Sequence, residues 1–196
     1  GSIKRAIFML SIPMILEMLM ESTFALVDMI YVSRISTNAI ATVVLTESVI
    51  TLIYAVAIGL SMAATAVVAR RTGEKDMDGA SKTAVQAIIL GICIAVIIGA
   101  FGIAFPKQIL SLMGGESDLV NEGFRYTQIM IGGNMTVVLL FLINAVFRGA
   151  GNASIAMWTL VLSNGLNIIL DPMFIFGFGP IPEMGVQGAA VATNIG

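Results

Sequence analysis

Residues 80–104 read ASKTAVQAIILGICIAVIIGAFGIA, and beyond Lys82 no side chain in the stretch carries a charge. As a helix the uncharged part rises about 33 Å, enough to cross a hydrocarbon layer of ~30 Å. In lipid only a helix or a closed barrel pairs every backbone group, and an apolar run of this length is a helix. Similar runs lie on both sides of it. Upstream are 6–34 and 39–70, downstream 124–147 and 154–176, and Ala189 to Thr193 begins another. These runs predict an all-α integral membrane protein, a polytopic helical bundle. It has five complete transmembrane helices plus the start of a sixth, which breaks off at Gly196.

Composition agrees. Of the 196 residues 58% are hydrophobic and 11% charged, and the mean hydropathy is +0.98; a soluble domain carries about twice that charge. A net charge of −2 without a basic stripe leaves no nucleic-acid partner, and the bilayer is the expected surroundings. With no His and one Cys, Cys93 inside an apolar run, zinc and disulfide chemistry are not expected, and Cys93 reads as packing. No nucleophile–base pair stands out, so an enzyme is not expected and no cofactor is implied. The opening run is not a cleavable signal: it is too long and contains Glu17, Glu21 and Asp28. The Gly1-Ser2 start, without Met, resembles a tag scar or a cut.

Basic residues suggest the orientation. With the N-terminus in the cytoplasm, Lys4, Arg5, Arg70, Arg71, Lys75, Lys82 and Arg148 lie inside, and Arg34, Lys107 and Arg125 outside. Connections are short. Residues 35–38 and RTGEKDMDG (Arg71–Gly79) are turns, and Ile109 to Met113 forms a short amphipathic piece ended by Gly114-Gly115. Arg148-Gly-Ala-Gly-Asn152 is a tight turn, with Asn152 or Ser154 available as a helix cap. Its likeness to a phosphate loop is superficial, since the Gly-Lys-Ser/Thr element is missing. GFGPIPEMGVQG (177–188) is the last outer loop. The second run is about 48 Å long as one helix and must tilt or project. Pro13 and Pro172 sit inside helical runs and leave the carbonyls of Met9 and Ile168 without their usual donors. Gly132-Gly133-Asn134 marks a bending or close-packing point. No linker divides residues 1–196, which form a single membrane domain.

Four of the twelve acids, Glu17, Glu21, Asp28 and Glu47, fall in the first two spans, and Asp171 in the fifth. An acid at the bilayer centre costs about 2.5–3.5 kcal/mol, so each needs a reason. At 100° per residue Glu17, Glu21 and Asp28 occupy a ~40° sector, with Pro13 beside them. Asn164, Asn167 and Asp171 share one face of the fifth helix. Asp28, Asp171 and Thr193 lie at similar depth. Two carboxylates, an amide and a hydroxyl at one level suit a hard cation or a proton shared between acids. The competing reading is that these groups only join helices by hydrogen bonds, and for Asn164, Glu47 and Glu17 the two readings stand side by side. The thirteen Met residues, among them Met9, Met14, Met18, Met20 and Met29, are read mainly as lipid-facing or core; they could also line an adaptable pocket.

Ser11-Ile12-Pro13 followed by Val27-Asp28, Ala69-Arg70-Arg71-x-Gly73, Arg148-Gly149-x-Gly151-Asn152, Asn167-x-x-x-Asp171-Pro172 and Gly185-Val186-x-Gly188-Ala189-Ala190-x-Ala192-Thr193 appear in that order. In order and spacing the chain resembles the N-terminal half of the multidrug and toxic compound extrusion (MATE) transporters. The resemblance implies two six-helix bundles around a central cavity. It also implies alternating access in the inner membrane, and export of organic cations and amphipathic drugs driven by Na⁺ or H⁺. It implies a cation site at Asp28, Asn167, Asp171, Thr193 and the Ala189 carbonyl, with no other metal. Glu17, Glu21 and Glu47 match no motif of the family. Together with Pro13 and Asn164 they are weaker candidates for the cavity or its gating. The expected partner is a C-terminal bundle beyond Gly196. A flippase of lipid-linked sugars and a non-transporting structural bundle are the rival expectations.

Overall fold

The computed structural model describes the backbone of residues 3–196 and the side-chain surroundings of residues 7, 8 and 11–196. The Gly1-Ser2 start and the side chains of Lys4, Arg5 and Met9 lie outside the described residues. The described chain folds into eight helices: α1 (Ile3–Ser33), α2 (Thr37–Gly73), α3 (Met77–Ala104), α4 (Pro106–Leu112), α5 (Ser117–Gly132), α6 (Met135–Gly149), α7 (Ala153–Ile175) and α8 (Val186–Ile195).

Among the described residues four helical stretches are long and apolar enough to cross a bilayer: Thr37–Gly73, Met77–Ala104, Ser117–Gly149 and Ala153–Ile175. At 31 residues α1 also exceeds the roughly 20 that spanning requires. The second run is a single helix of 37 residues, about 55 Å long. The fourth span is broken: α5 stops at Gly132 and α6 starts at Met135. The break falls at Gly132-Gly133-Asn134, where the sequence predicts a bend. Asn134 fills the gap by donating its side-chain amide to the carbonyls of Ile131 (2.6 Å) and Ala95 (3.1 Å).

Local chemistry sets the other boundaries. Ser36 caps α2 by accepting from the Ala39 N–H at 3.0 Å, and Asp76 caps α3 by accepting from Gly79 at 2.9 Å. Pro106 opens α4 at its first turn, and Gly114 at φ +90° ends the segment. Leu110 of α4 is buried and Leu112 exposed, as an amphipathic piece requires. Asn152 stands at the cap position of α7, but its side chain makes no cap bond. The last loop returns to α7, with Met184 N–H on the Phe174 carbonyl (3.0 Å) and Gly185 N–H on that of Ile175 (3.1 Å). Consequently α8 starts at Val186, three residues before the Ala189 start read from the sequence.

Small residues bring the helices together. Along α3 the buried positions include Ala87, Gly91, Ala95 and Gly99, spaced about one turn apart. At Gly188 a β-carbon would strike the Phe174 backbone, so only glycine lets α8 lie this close to α7. Buried hydroxyls of Thr46 and Thr127 join α2 to α5 at 2.8 Å. The Cys93 side chain points outward from the bundle rather than into its packing.

Candidate functional site

A cavity of about 460 Å³ opens between α1, α2, α6 and α7. Its walls mix Met14, Met18, Met29 and Met130 with aromatic rings and a set of acids. Glu17, Glu21 and Asp28 all face it from α1, as their shared helical sector requires, and Glu47 joins them from α2. Asn164, Asn167 and Thr193 line it from α7 and α8. Pro13 is buried in α1, one turn before Glu17.

Asp171 lies behind the wall with no solvent exposure. Neither of its carboxylate oxygens has a hydrogen-bond partner, and Asp28 Oδ1 and Asn167 Oδ1 are likewise buried and unpaired. Asp28 is close enough for its charge to act on both Asp171 and Glu47. Four unpaired buried oxygens on Asp28, Asn167 and Asp171 form a set of acceptors without donors. A buried acceptor left unmade costs about 1–3 kcal/mol, so this grouping calls for a cation or a proton. Thr193 donates its hydroxyl to the Ala189 carbonyl at 3.0 Å. That keeps its oxygen lone pairs available and engages the Ala189 oxygen. The residues fit a hard monovalent cation, with carboxylate, amide and hydroxyl oxygens as donors. Among the described residues no cluster of three or more His, Cys, Asp or Glu side chains could hold a metal ion.

The α8 helix is set against this region by two contacts, to Ile129 and Thr136, while a third bond from Asn194 stays within α8. Asn194 donates to the carbonyls of Ile129 (3.1 Å) and Ala190 (2.9 Å), and its own carbonyl accepts from Thr136 Oγ1 at 3.3 Å. Asn194 occupies the space a side chain at Gly133 would need. The break between α5 and α6 thus receives the residue next to Thr193.

Arg148 and Asn144 are among the residues of this cavity that the sequence did not point to. The sequence reading counts Arg148 as a cytoplasmic charge beside a tight turn, yet the guanidinium turns inward and bonds Glu17 Oε2 at 2.8 Å. Asn144, one turn earlier on α6, also lines the cavity, with its Oδ1 buried and unpaired. The signal available was a buried acid without an assigned counter-ion, together with Asn and Arg spaced four apart on an apolar helix. The other two described ion pairs, Arg70–Glu74 and Arg71–Asp76, belong to the exposed turn between α2 and α3.

The MatE family model matches residues 13–173. The chain is 30% identical to the probable multidrug resistance protein NorM of Thermotoga maritima, over 97% of this chain and 41% of that protein. It is 28% identical to an FAD transporter of Shewanella oneidensis, over 97% of this chain and 42% of that one. Its fold superposes on a MOP superfamily transporter from Pyrococcus furiosus with a TM-score of 0.90 and 35% identity, covering 100% of this chain and 42% of that one. That structure was described with the finding that reverse polarity of its binding pocket suggests different function. The chain therefore spans about two fifths of the length of the relatives it matches.

Proposed function

This chain belongs to the MatE family, and from that membership we infer that it forms the N-terminal bundle of a cation-coupled exporter of organic cations and amphipathic drugs. The observation that carries the reading is the set of unpaired buried oxygens on Asp28, Asn167 and Asp171 behind an acid-lined cavity. Na⁺ or H⁺ loads between Asp28 and Asp171, with Asn167 and Thr193 completing the shell. Loading cancels one of the two negative charges that Asp28 and Asp171 carry together, weakens their repulsion and lets α1, α7 and α8 draw together. Pro13 lacks a backbone donor, so α1 can change its bend at that point and alter the cavity wall. For the ion to drive export it must bind one conformation better than the other; equal affinity would shift nothing.

The N-terminus is cytoplasmic in this scheme, in the inner membrane. A second bundle closes the open side of the cavity. Its cargo is cationic, because Glu17, Glu21, Asp28 and Glu47 outnumber the one base, Arg148, on the cavity wall. That balance speaks against a lipid pyrophosphate cargo, and it weighs against a strongly anionic one.

Asp28→Asn in the full-length protein keeps the size of the side chain, exchanges one acceptor oxygen for an N–H donor and removes the charge. It should abolish resistance to ethidium and norfloxacin with expression unchanged. Undiminished export by this variant overturns the reading. Export measured with Na⁺ removed at fixed pH separates the two coupling ions.

A further inference from the structure

Glu17 lies 11 residues before Asp28 on the same face of α1, about 16 Å along the axis. The two acids are therefore separate stations on one cavity wall. Around Glu17 the surroundings differ in kind from those around Asp28. Arg148 holds Glu17 Oε2 at 2.8 Å, and this is the one described ion pair that joins helices distant in sequence. Glu17 is 6% exposed, and its second oxygen, Oε1, is buried with no partner. Asn144 is 2% exposed, and its Oδ1 is unpaired too. At spacing i, i+4 Asn144 and Arg148 project from the same face of α6, so Arg148 reaching Glu17 brings Asn144 to the same end of the cavity.

We propose that Glu17, Asn144 and Arg148 form a recognition site for a protonated amine bearing N–H groups. Two unpaired acceptors require donors, and an ammonium N–H supplies them; a quaternary ammonium cannot. Arg148 neutralises the first half of the Glu17 carboxylate. The site therefore selects by hydrogen bonding rather than by charge alone, whereas the Asp28 station attracts any cation. Both acceptors are closed off from solvent, and the Arg148 side chain is the more exposed partner at 25%. Arg148 keeps its guanidinium on Oε2 as the amine enters, and the amine N–H meets the free Oε1. The inference deepens the export reading above, since it names a substrate class for the same cavity.

The test uses the full-length protein in detergent and two fluorescent probes, a dansylated primary amine and its trimethylammonium counterpart. Binding is read by fluorescence titration. The wild type should bind the primary amine about tenfold more tightly, the scale of a hydrogen bond to a charged group. Glu17→Gln should cut that preference to a few-fold, because a neutral amide oxygen accepts more weakly than a carboxylate, and should weaken trimethylammonium binding, because Arg148 is left without its counter-ion. Arg148→Gln should tighten binding of both probes, because the carboxylate loses its resident counter-ion. Unchanged thermal midpoints show that the variants fold; if Glu17→Gln fails to fold, Asn144→Ala serves, with loss of most of the preference expected. Equal affinity of the wild type for both probes, or an intact preference in the variant that folds, overturns the proposal. Export found to be independent of Na⁺ and pH would remove the coupling scheme while leaving these titrations to stand or fall alone.

Discussion

Asp171 carries two carboxylate oxygens, neither with a partner, on a side chain with no exposure. An isolated buried charge is far more costly than any packing gain at that position, so the site needs a counter-charge or a proton. Asp76 shows the opposite situation. It lies outside the spans, accepts from the Gly79 N–H and pairs with Arg71, both at 2.9 Å. The Gly79 N–H, and after it the Arg71 guanidinium, hold the Asp76 carboxyl below its ordinary value. A lowered value in the fold means the cap is fully present above the unfolded carboxylate range and is lost as pH falls through the folded value. Acidification from neutral to below pH ~4 should therefore loosen the start of α3. Amide protection factors at Gly79 and Ala80, taken against the intrinsic rate at each pH, read this directly, and protection that stays constant across the acid range refutes it.

At the scale of the element, the fourth span is the informative one. A continuous helix from Ser117 to Gly149 would satisfy hydropathy, but the chain breaks where two glycines meet Asn134. Asn134 reaches α3, and Asn194 from α8 enters the notch at Gly133. Gly133→Ala places a β-carbon against Asn194 and should lower stability by about 1–3 kcal/mol, the usual penalty of overpacking. Gly165→Ala on α7 meets nothing within 4 Å, and should be neutral or stabilising by up to ~1 kcal/mol through helix propensity. Thermal midpoints of the two variants in detergent compare them. Equal effects would mean that the Gly133 notch is not tightly packed.

For the whole molecule, the proposed cation site draws its residues from α1, α7 and α8, so an ion bound there would stabilise the folded state over the unfolded one. At a concentration of 100 times its dissociation constant the gain is about 2.7 kcal/mol. Na⁺ at constant ionic strength should raise the thermal midpoint of the full-length wild type, with K⁺ as the control. Asp171→Asn should lose most of that rise. No rise with Na⁺ in the wild type rules out Na⁺ binding at these residues. Either result bears on the residues Asp28, Asn167, Asp171 and Thr193 as a group, because the unpaired oxygens belong to several helices.

Hydropathy and helical period are properties of the chain itself, which is why membrane class, spans and the acid stripe of Glu17, Glu21 and Asp28 could be read without coordinates. The bend at Gly132-Gly133-Asn134 was readable too, since it depends on local backbone chemistry. The earlier start of α8 was not, because it follows from loop hydrogen bonds to Phe174 and Ile175 that exist only once α7 is in place. The inward turn of Arg148 was hidden for the same reason. A long side chain chooses its rotamer by the partner it finds, and Glu17 stands 131 positions away. Sequence alone determined that buried acids needed partners; the packing of α1 against α7 and the reach of Arg148 from α6 decided which one received an arginine and which were left without a partner.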